Sequence, residues 1–579
     1  MNQDSINKIA IIGGGPATLY LLKHFYLIQL NPIEIHVFEK QEEFGKGMPY
    51  STLGACNEHV ANISANEIPS LNTPFKDWYE KLDQHYKDQF IPLYNEFDED
   101  LVIPRLLLGE YLAHEFDFYF YALKKKGFQM VKHPSTLVKD IIPDKEEHEF
   151  NILTAEGNLL PFHQIILCTG HTWPKLNEGK IKNWFDSPYP PSKLHGIENS
   201  TIAIKGASLT AVDAVKTLAR NNGDFIWTEN NQLHYEIHPE NRNFKINIFT
   251  LDGLLPALRF YTEGNGLENS ETLELPEIRA YKEKHENFVD LDYIYQKFFL
   301  EVLKKDDPVF YNEIKDFTIQ EFIAHEMAFR KRVNSFDLFR AEYIESEKTE
   351  RRHQPVAWKN ALNGLSYAMN YPAKHFSAED MLRMRKELMP LISIIIAALP
   401  ESSYQEIMAL HKAGVLDVIA VDKDSHVEPR KEGGATYYFK AENGEETKVA
   451  FDVYVDATGQ KAITLDKFPF QSLVQEGLVT KAYLPFKDVA NARNPALNAD
   501  DIHIDSNNQA YLYVAGLEVN DYFQLMNPYG EAQTNLYCMT VPFIAGLNPD
   551  YSGLDFCDTA APRIAKSIAE NISKGEPKT

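Results

Sequence analysis

One local pattern occurs twice along the chain and sharply limits the folds open to it. Residues 8–12 (KIAII) are a β-branched run. The Gly-rich turn Gly13-Gly14-Gly15-Pro16-Ala17-Thr18 follows, then an apolar-faced helical stretch and a second strand, IEIHVFEK. The region 201–250 repeats the plan with TIAIK, the turn Gly206-Ala207-Ser208-Leu209-Thr210-Ala211, a helical run and KINIFTL. Each unit is followed at a distance by a strand that ends on Thr-Gly, at Thr169-Gly170 and at Thr458-Gly459. Strand, glycine turn, helix and strand in this order are the setting a dinucleotide fingerprint requires. The fold class expected is α/β, with two Rossmann-like dinucleotide-binding domains.

Between the halves of the second unit the composition shifts. Residues 265–415 are rich in charged and aromatic residues at helical spacing, as in DLDYIYQKFFLEVLKKD. Ser377 and Asp380 have the spacing of a helix cap, and Pro390 predicts a kink. We read a helical insertion here. The expected division is 1–200 for the first part of one dinucleotide-binding domain, 201–264 for the first part of the other, 265–415 for the insertion, 416–460 for the remainder of the second domain, and 461–579 for the C-terminal part of the first.

The turn residues carry the expected chemistry. Gly13 permits the tight turn, and Gly15 lets backbone approach a pyrophosphate at the helix start, where Pro16, Ala17 and Thr18 follow. Thr18 stands where Gly or Ala is usual for close helix–strand packing. Glu39 ends the second strand with Lys40 beside it, and a carboxylate there can accept both ribose hydroxyl protons of an adenosine. In the second unit Ser208 replaces the middle glycine, and its hydroxyl can add a phosphate contact beside Gly206, Leu209 and Thr210. Asp252, just past the following strand, suits a free 2′-hydroxyl and repels a 2′-phosphate. Arg259 is the nearest downstream cation that can offset it, so both NADH and NADPH stay open. The two Thr-Gly corners either mark crossings between cofactor domains or are ordinary strand exits. Towards the C-terminus a strand at Tyr511–Ala515 ends at Gly516, and a helix is expected to begin near Gly530-Glu531. Such a helix start can point its N–H groups at the electron-rich end of a reduced flavin.

Composition and charge remove other classes. Lys and Arg number 58 against 83 Asp and Glu, a net charge of −25. A nucleic-acid binder needs a basic stripe, and an anionic membrane attracts basic segments, so neither partner is expected. The four cysteines lie far apart, with no CxxC for a dithiol or zinc ribbon. No histidine pattern suggests a metal site. The N-terminus runs straight into an apolar strand without a leader pattern, and the longest apolar run is too short to span a bilayer. A cytoplasmic protein is the expectation.

In sequence order GGGPAT, Glu39, GKGMPYST (45–52), ANISANEIPS (61–70), FKDWYEKL (75–82) and IPRLLLGEYL (103–112) resemble the bacterial FAD/NAD(P)-binding proteins. GASLTAVDA (206–214) and DGLLPALR (252–259) fit the second half of that family. Its relatives are flavin-dependent monooxygenases that hydroxylate amines and amino acids. The resemblance therefore implies FAD, NADPH or NADH, dioxygen and a small amine or amino-acid substrate. It departs from the family at Thr18 and at Leu251-Asp252, where Ser-Arg is expected. Gly45, Gly47, Met48, Pro49 and Tyr50 would then lie near the flavin. Asn57, His59 and Asn62 would position the ring or substrate, or merely cap loops. Arg105 would bind the FAD phosphates, bind a substrate carboxylate, or form a surface ion pair. Trp78 and Trp173 read as packing.

Two nucleotide sites imply that NAD(P)H reduces FAD, which then reduces something else. No dithiol or metal cluster is spaced to be the acceptor, so dioxygen is the simplest, reacting through a peroxyflavin in a closed pocket. Tyr50, Asn62 and Arg105 are the side chains expected nearest that chemistry. Two further readings remain open: a flavin reductase or dehydrogenase serving a small acceptor or partner protein, and a non-catalytic FAD-binding scaffold.

Overall fold

The computed structural model describes residues 7–28, 30–90, 100, 102–144, 146, 149–262, 272–441 and 444–575. The expected boundary at 264–265 lies outside the described residues. Two parallel sheets organise the chain. The first contains β1 (Lys8–Ile12), β2 (Glu34–Phe38), β3 (Gln129–His133), β4 (Gln164–Leu167) and β9 (Ala532–Cys538), in the order β9-β4-β1-β2-β3, with Gln524–Met526 pairing antiparallel on β9 at the edge. The second contains β5 (Thr201–Lys205), β6 (Lys245–Thr250), β7 (Leu416–Ala420) and β8 (Val453–Asp456), in the order β8-β5-β6-β7, with the short strand Trp184–Phe185 outside β8. Strands such as KIAII, with four of five residues buried, are apolar throughout, as expected where helices cover both faces of a parallel sheet.

The two sheets are built alike down to single hydrogen bonds. Gly13 N–H donates to Phe38 C=O at 2.8 Å, and Gly206 N–H donates to Phe249 C=O at 2.8 Å. Cys168 N–H donates to Ile12 C=O at 2.7 Å, and Ala457 N–H to Lys205 C=O at 2.8 Å. Each turn glycine has a positive φ, +108° at Gly13 and +100° at Gly206. A Cβ on Gly13 would lie 2.1 Å from Cys168 O, and one on Gly206 2.8 Å from Ala457 O. Glycine is thus required twice for the same reason: the turn passes against the neighbouring strand's end.

Helix α1 (Pro16–Leu27) follows the first turn and packs against α2 (Arg105–Lys125) and the long C-terminal helix α6 (Gly553–Gly575). Helix α3 (Leu209–Asn222) follows the second turn. Between β6 and β7 lies a helical region that includes α4 (Ile319–Lys331) and α5 (Ser335–Arg352). Ser377 caps its helix by accepting from Asp380 N–H at 3.1 Å. At the expected kink the chain makes a π-helical turn, Met384–Leu388, directly before the helix that carries Pro390 at its start. Proline there has no N–H to place in the ladder, and the widened turn absorbs the lost bond.

The C-terminal segment differs from expectation at two places. The strand containing Tyr511–Ala515 runs from Ala510 to Leu517 and lies antiparallel between Lys481–Pro485 and Ile502–Ile504, outside the first sheet. The strand that returns to that sheet is β9. Gly530 does not open a helix. It sits at φ +80° in the hairpin turn before β9, where Asn527 Oδ1 accepts from the N–H groups of Tyr529 and Glu531, both at 2.9 Å. Asn-Pro-Tyr-Gly is turn chemistry, and the side chain of Asn527 closes the turn. The helices follow later, at Val541–Ile544 and at α6.

Candidate dinucleotide and flavin site

A cavity of about 330 Å³ opens at the C-terminal ends of β1, β2 and β4. This is where an open α/β sheet binds its ligand. Gly15, Pro16 and Ala17 at the start of α1 line it, with Glu39, Lys40 and Gln41 along one side. Gly47 to Leu53 form a second wall. Thr169, Gly170 and His171 close another side, and Met539, Val541, Pro542, Leu554, Phe556 and Cys557 supply the apolar end. Gly15, Pro16, Ala17, Glu39, Lys40, Gly47, Met48, Tyr50, Thr169 and Gly170 are therefore brought together in one cavity. Gly13 and Thr18 act from behind it: Thr18 is fully buried, and its hydroxyl donates to Gly13 C=O at 2.5 Å. That bond stiffens the turn at the position where a smaller residue is usual.

The second wall is held by close backbone packing. A Cβ on Gly15 would lie 3.1 Å from Gly47 Cα, and one on Gly45 would lie 2.6 Å from Ala113 Cα in α2. Gly109 of α2 lies under Tyr50, and a Cβ there would be 2.0 Å from Tyr50 O. The Pro-Arg-x-x-x-Gly-x-Tyr run of α2 is thus a seat for the 45–53 loop. Its Tyr111 donates to Thr73 C=O at 2.6 Å and packs with Phe75 and Trp78.

Charges at the cavity are individually fixed. The Glu39 carboxylate accepts from Gly14 N–H at 2.8 Å and Gln41 N–H at 2.9 Å. Lys46 bridges Glu43 at 2.8 Å and Glu110 at 2.6 Å. Burial pushes the Asp555 carboxyl up to about 7, with Glu67 and Asp558 adding to it. Burial also raises the Tyr50 phenol well above its ordinary range, so it stays protonated. His171 is pushed down by burial, against the hydrogen bond to Gln460. Gln460 joins the two Thr-Gly corners: its Oε1 lies 3.0 Å from His171 Nδ1 and accepts from Thr172 N–H at 3.0 Å, while its Nε2 donates to Thr172 C=O at 2.7 Å.

Arg105, Arg259 and Asn62 lie between the two units. Arg105 does not face the cavity. Its guanidinium grips Asp213 of α3 through both arms, at 2.5 and 3.2 Å, and its Nε donates to Val60 C=O at 3.0 Å. Arg259 crosses the other way, donating to Asn62 C=O at 2.5 Å and to Glu67 at 2.6 Å. Asn62 is engaged there through its backbone. Trp173 packs on His171 and Tyr189. Gly206, Ser208, Leu209 and Thr210 stand at the start of α3, with Thr458 and Gly459 beside that turn, and the Ser208 hydroxyl does not cap its own helix. Gly516 and Gly530 lie outside the cavity wall. Gly516 lets its strand pass the short helix Val541–Ile544, where a Cβ would lie 2.5 Å from Phe543 O.

Several lining residues escaped the sequence reading: Lys46, Ser51, Leu53, Cys168, His171 and the 539–557 set. Cys168, Cys538 and Cys557 sit close together here although 370 or more positions separate Cys168 from the others in the chain. Burial pushes the Cys168 and Cys538 thiols up to about 12, and Cys557 higher still.

The donor set fits FAD. Backbone N–H groups and a helix start would hold a pyrophosphate, Glu39 a ribose diol, and the apolar end a ring. The fold consists of two dinucleotide-binding units and a helical middle region, and the cavity of the first unit fits FAD. Residues 10–172 match the FAD-NAD(P)-binding family, and residues 275–396 match the YdhS-like middle domain. The uncharacterized protein YdhS of Escherichia coli (strain K12) is 27% identical over 479 residues, which cover 81% of this chain and 86% of that one. Among solved structures, the ornithine N-hydroxylase of Kutzneria sp. 744 aligns with a TM-score of 0.45 at 12% identity, covering 98% of this chain and 100% of that one. The bacillithiol disulfide reductase of Staphylococcus aureus aligns with a TM-score of 0.42 at 10% identity, covering 99% and 100%. Among the described residues no helix is long and apolar enough to cross a membrane.

Proposed function

We propose that this chain is an FAD-dependent, NAD(P)H-using oxidoreductase, and specifically a monooxygenase that hydroxylates a small amine or amino acid. Bound FAD supplies the electron transfer between nicotinamide and acceptor. The chain's own residues bind, orient and exclude water. The start of α1 and Glu39 hold the dinucleotide. Gly45 and Gly47 bring the 45–53 loop close, and Met48, Pro49, Leu53, Met539, Val541, Pro542, Leu554 and Phe556 keep one end apolar. An apolar end of this kind would keep water away from a bound ring.

The observation that carries the reading is the pairing of this apolar-ended cavity with thiols that stay protonated. A disulfide reductase attacks through a thiolate, and burial opposes thiolate formation at Cys168, Cys538 and Cys557. Dioxygen is left as the simplest acceptor. The test is anaerobic reduction of the holoprotein by NAD(P)H, followed by oxygen and a panel of small amines and amino acids. Oxygen uptake in excess of peroxide release with one substrate is the expected result. Prompt reoxidation with stoichiometric peroxide across the whole panel would overturn the monooxygenase reading.

A further inference from the structure

The helical middle region rests on the segment that follows β6, the second strand of the second dinucleotide unit. Ser335 Oγ donates to Gly253 C=O, Ser346 Oγ donates to Arg259 C=O at 2.5 Å, and Thr349 Oγ1 accepts from Tyr261 N–H at 3.1 Å. On this same surface Lys331, the last residue of α4, pairs with Asp252 at 2.5 Å. The lysine side chain is 50% exposed and the carboxylate 28%.

The matched hydrogen bonds of the two units locate Asp252 functionally. Phe249 stands where Phe38 stands, because each accepts from the turn glycine. Thr250 therefore occupies the position of Glu39. A second pair of bonds agrees: the C=O of Glu39 accepts from Thr136 N–H at 2.8 Å, and that of Thr250 from Val421 N–H at 3.0 Å, in both cases from the segment just past the next strand. Counting on, Asp252 occupies the position of Gln41, which lines the first cavity beside Glu39. The second unit thus has a neutral threonine at the usual acid position and a carboxylate two residues later, held by a lysine from another region of the chain.

We propose that the Asp252–Lys331 pair is the coenzyme discriminator and that it selects NADH. The carboxylate faces the adenosine ribose, where it accepts from free hydroxyls and repels a 2′-phosphate. Lys331 holds that carboxylate in place and is itself neutralised by it. The middle region thereby contributes a residue to coenzyme selection. The consequence is specific: removing the charge at Asp252 leaves Lys331 as an unpaired cation beside the ribose, so the selectivity inverts rather than merely relaxing. This inference rests on the second unit being the nicotinamide nucleotide site.

The test is calorimetric binding of NAD⁺ and NADP⁺ to the oxidised holoprotein, for the parent, Asp252→Asn, and Asp252→Asn combined with Lys331→Gln. The parent is expected to bind NAD⁺ more tightly by about tenfold or more, a difference of about 1.4 kcal/mol. Asp252→Asn is expected to shift the affinity ratio towards NADP⁺ by at least about the same factor. The double variant is expected to lose most of that shift. Thermal midpoint and flavin absorbance check that the variants fold and hold FAD, since Ser335, Ser346 and Thr349 still dock the middle region. Parent preference for NADP⁺, or a shift that persists in full without Lys331, would overturn the proposal while leaving the nicotinamide site intact. Failure of the parent to bind either nucleotide would overturn both.

Discussion

The Arg105 guanidinium and the Asp213 carboxylate form a largely buried, two-armed ion pair between the first and second dinucleotide-binding units. Their side chains are 13% and 6% exposed. Tyr189 donates to the same carboxylate at 2.6 Å. His59 completes the junction: its Nδ1 accepts from Cys56 N–H at 3.1 Å, so its Nε2–H donates to Asp213 C=O at 3.1 Å. Burial pushes His59 down against the pull of Asp213 and Glu58, which keeps it neutral and fixes that tautomer. The two units are thus clamped in one relative orientation.

Removing one partner from this clamp strands a buried charge. Asp213→Asn or Arg105→Ala is expected to cost on the order of 3–5 kcal/mol. The apolar pair Arg105→Met with Asp213→Leu should cost less than either single change. Burial alone would raise the Asp213 carboxyl, but Arg105, with the hydrogen bond from Tyr189, holds it below its ordinary value. A depressed carboxyl contributes stability that is present above the unfolded value of about 4 and is lost as pH falls through the folded value. Thermal midpoints of parent and Asp213→Asn should therefore differ most near neutrality and converge in acid. A gap that stays constant with pH would remove Asp213 ionisation from the account.

Gly109→Ala should lower FAD occupancy without weakening its helix. Alanine is the better helix former by about 1 kcal/mol. Its Cβ, however, would meet Tyr50 O at 2.0 Å, and that contact is backbone, which cannot swing aside. The 45–53 loop must move, taking Met48 and Tyr50 with it. The flavin-to-protein absorbance ratio after purification should fall while far-ultraviolet circular dichroism stays unchanged. Full FAD content in the alanine variant would show that the loop does not contact the cofactor.

How far the sequence revealed this site depends on how local each feature is. Gly13, Gly15, Glu39, Gly206 and the Thr-Gly corners were readable because strand, turn and helix are written in neighbouring residues. Arg105 and Arg259 were not, because their partners Asp213 and Glu67 lie 108 and 192 positions away and only the tertiary fold joins them. Gly530 misled because a glycine beside an acid suits both a helix start and a hairpin. Asn527, three residues earlier, carried the signal that decides it. The 539–557 wall has no motif at all: its residues are ordinary apolar ones that the sheet and α6 bring to the cavity.

Glu39 ties the glycine turn to the cavity wall. Its two accepted N–H bonds are charge-assisted, each worth about 1.5–3 kcal/mol. Glu39→Gln keeps the shape but presents an amide N–H to one backbone donor. FAD affinity should fall about tenfold to a hundredfold, read from the fluorescence of flavin released on dilution. An unchanged dissociation constant would place Glu39 in turn structure alone.

The three clustered cysteines separate the monooxygenase reading from a thiol-redox one. Cys168→Ser with Cys557→Ser should leave the rate of flavin reduction by NAD(P)H, and the rate of reoxidation by oxygen, within about twofold of the parent, because thiols this far above neutrality supply almost no thiolate. A collapse of steady-state turnover that spares flavin reduction would instead make these thiols the electron acceptor.

Asp555, in the first turn of α6, should make the protein's stability fall as pH rises. Burial, reinforced by Glu67 and Asp558, lifts its carboxyl to about 7, so the folded protein holds a proton that the unfolded chain releases near 4. Between those values the folded state binds more protons than the unfolded state. Stability contributed by that proton is complete below about pH 4 and is lost through about pH 7. Asp555→Asn keeps the size and removes the titration. In the FAD-free protein the variant should match the parent near pH 4 and exceed its thermal midpoint near pH 8. Because the residue is partly accessible to solvent, the gain should be smaller than for a fully enclosed carboxylate. Equal midpoints at both pH values would show that Asp555 ionises as freely in the folded chain as in the unfolded one.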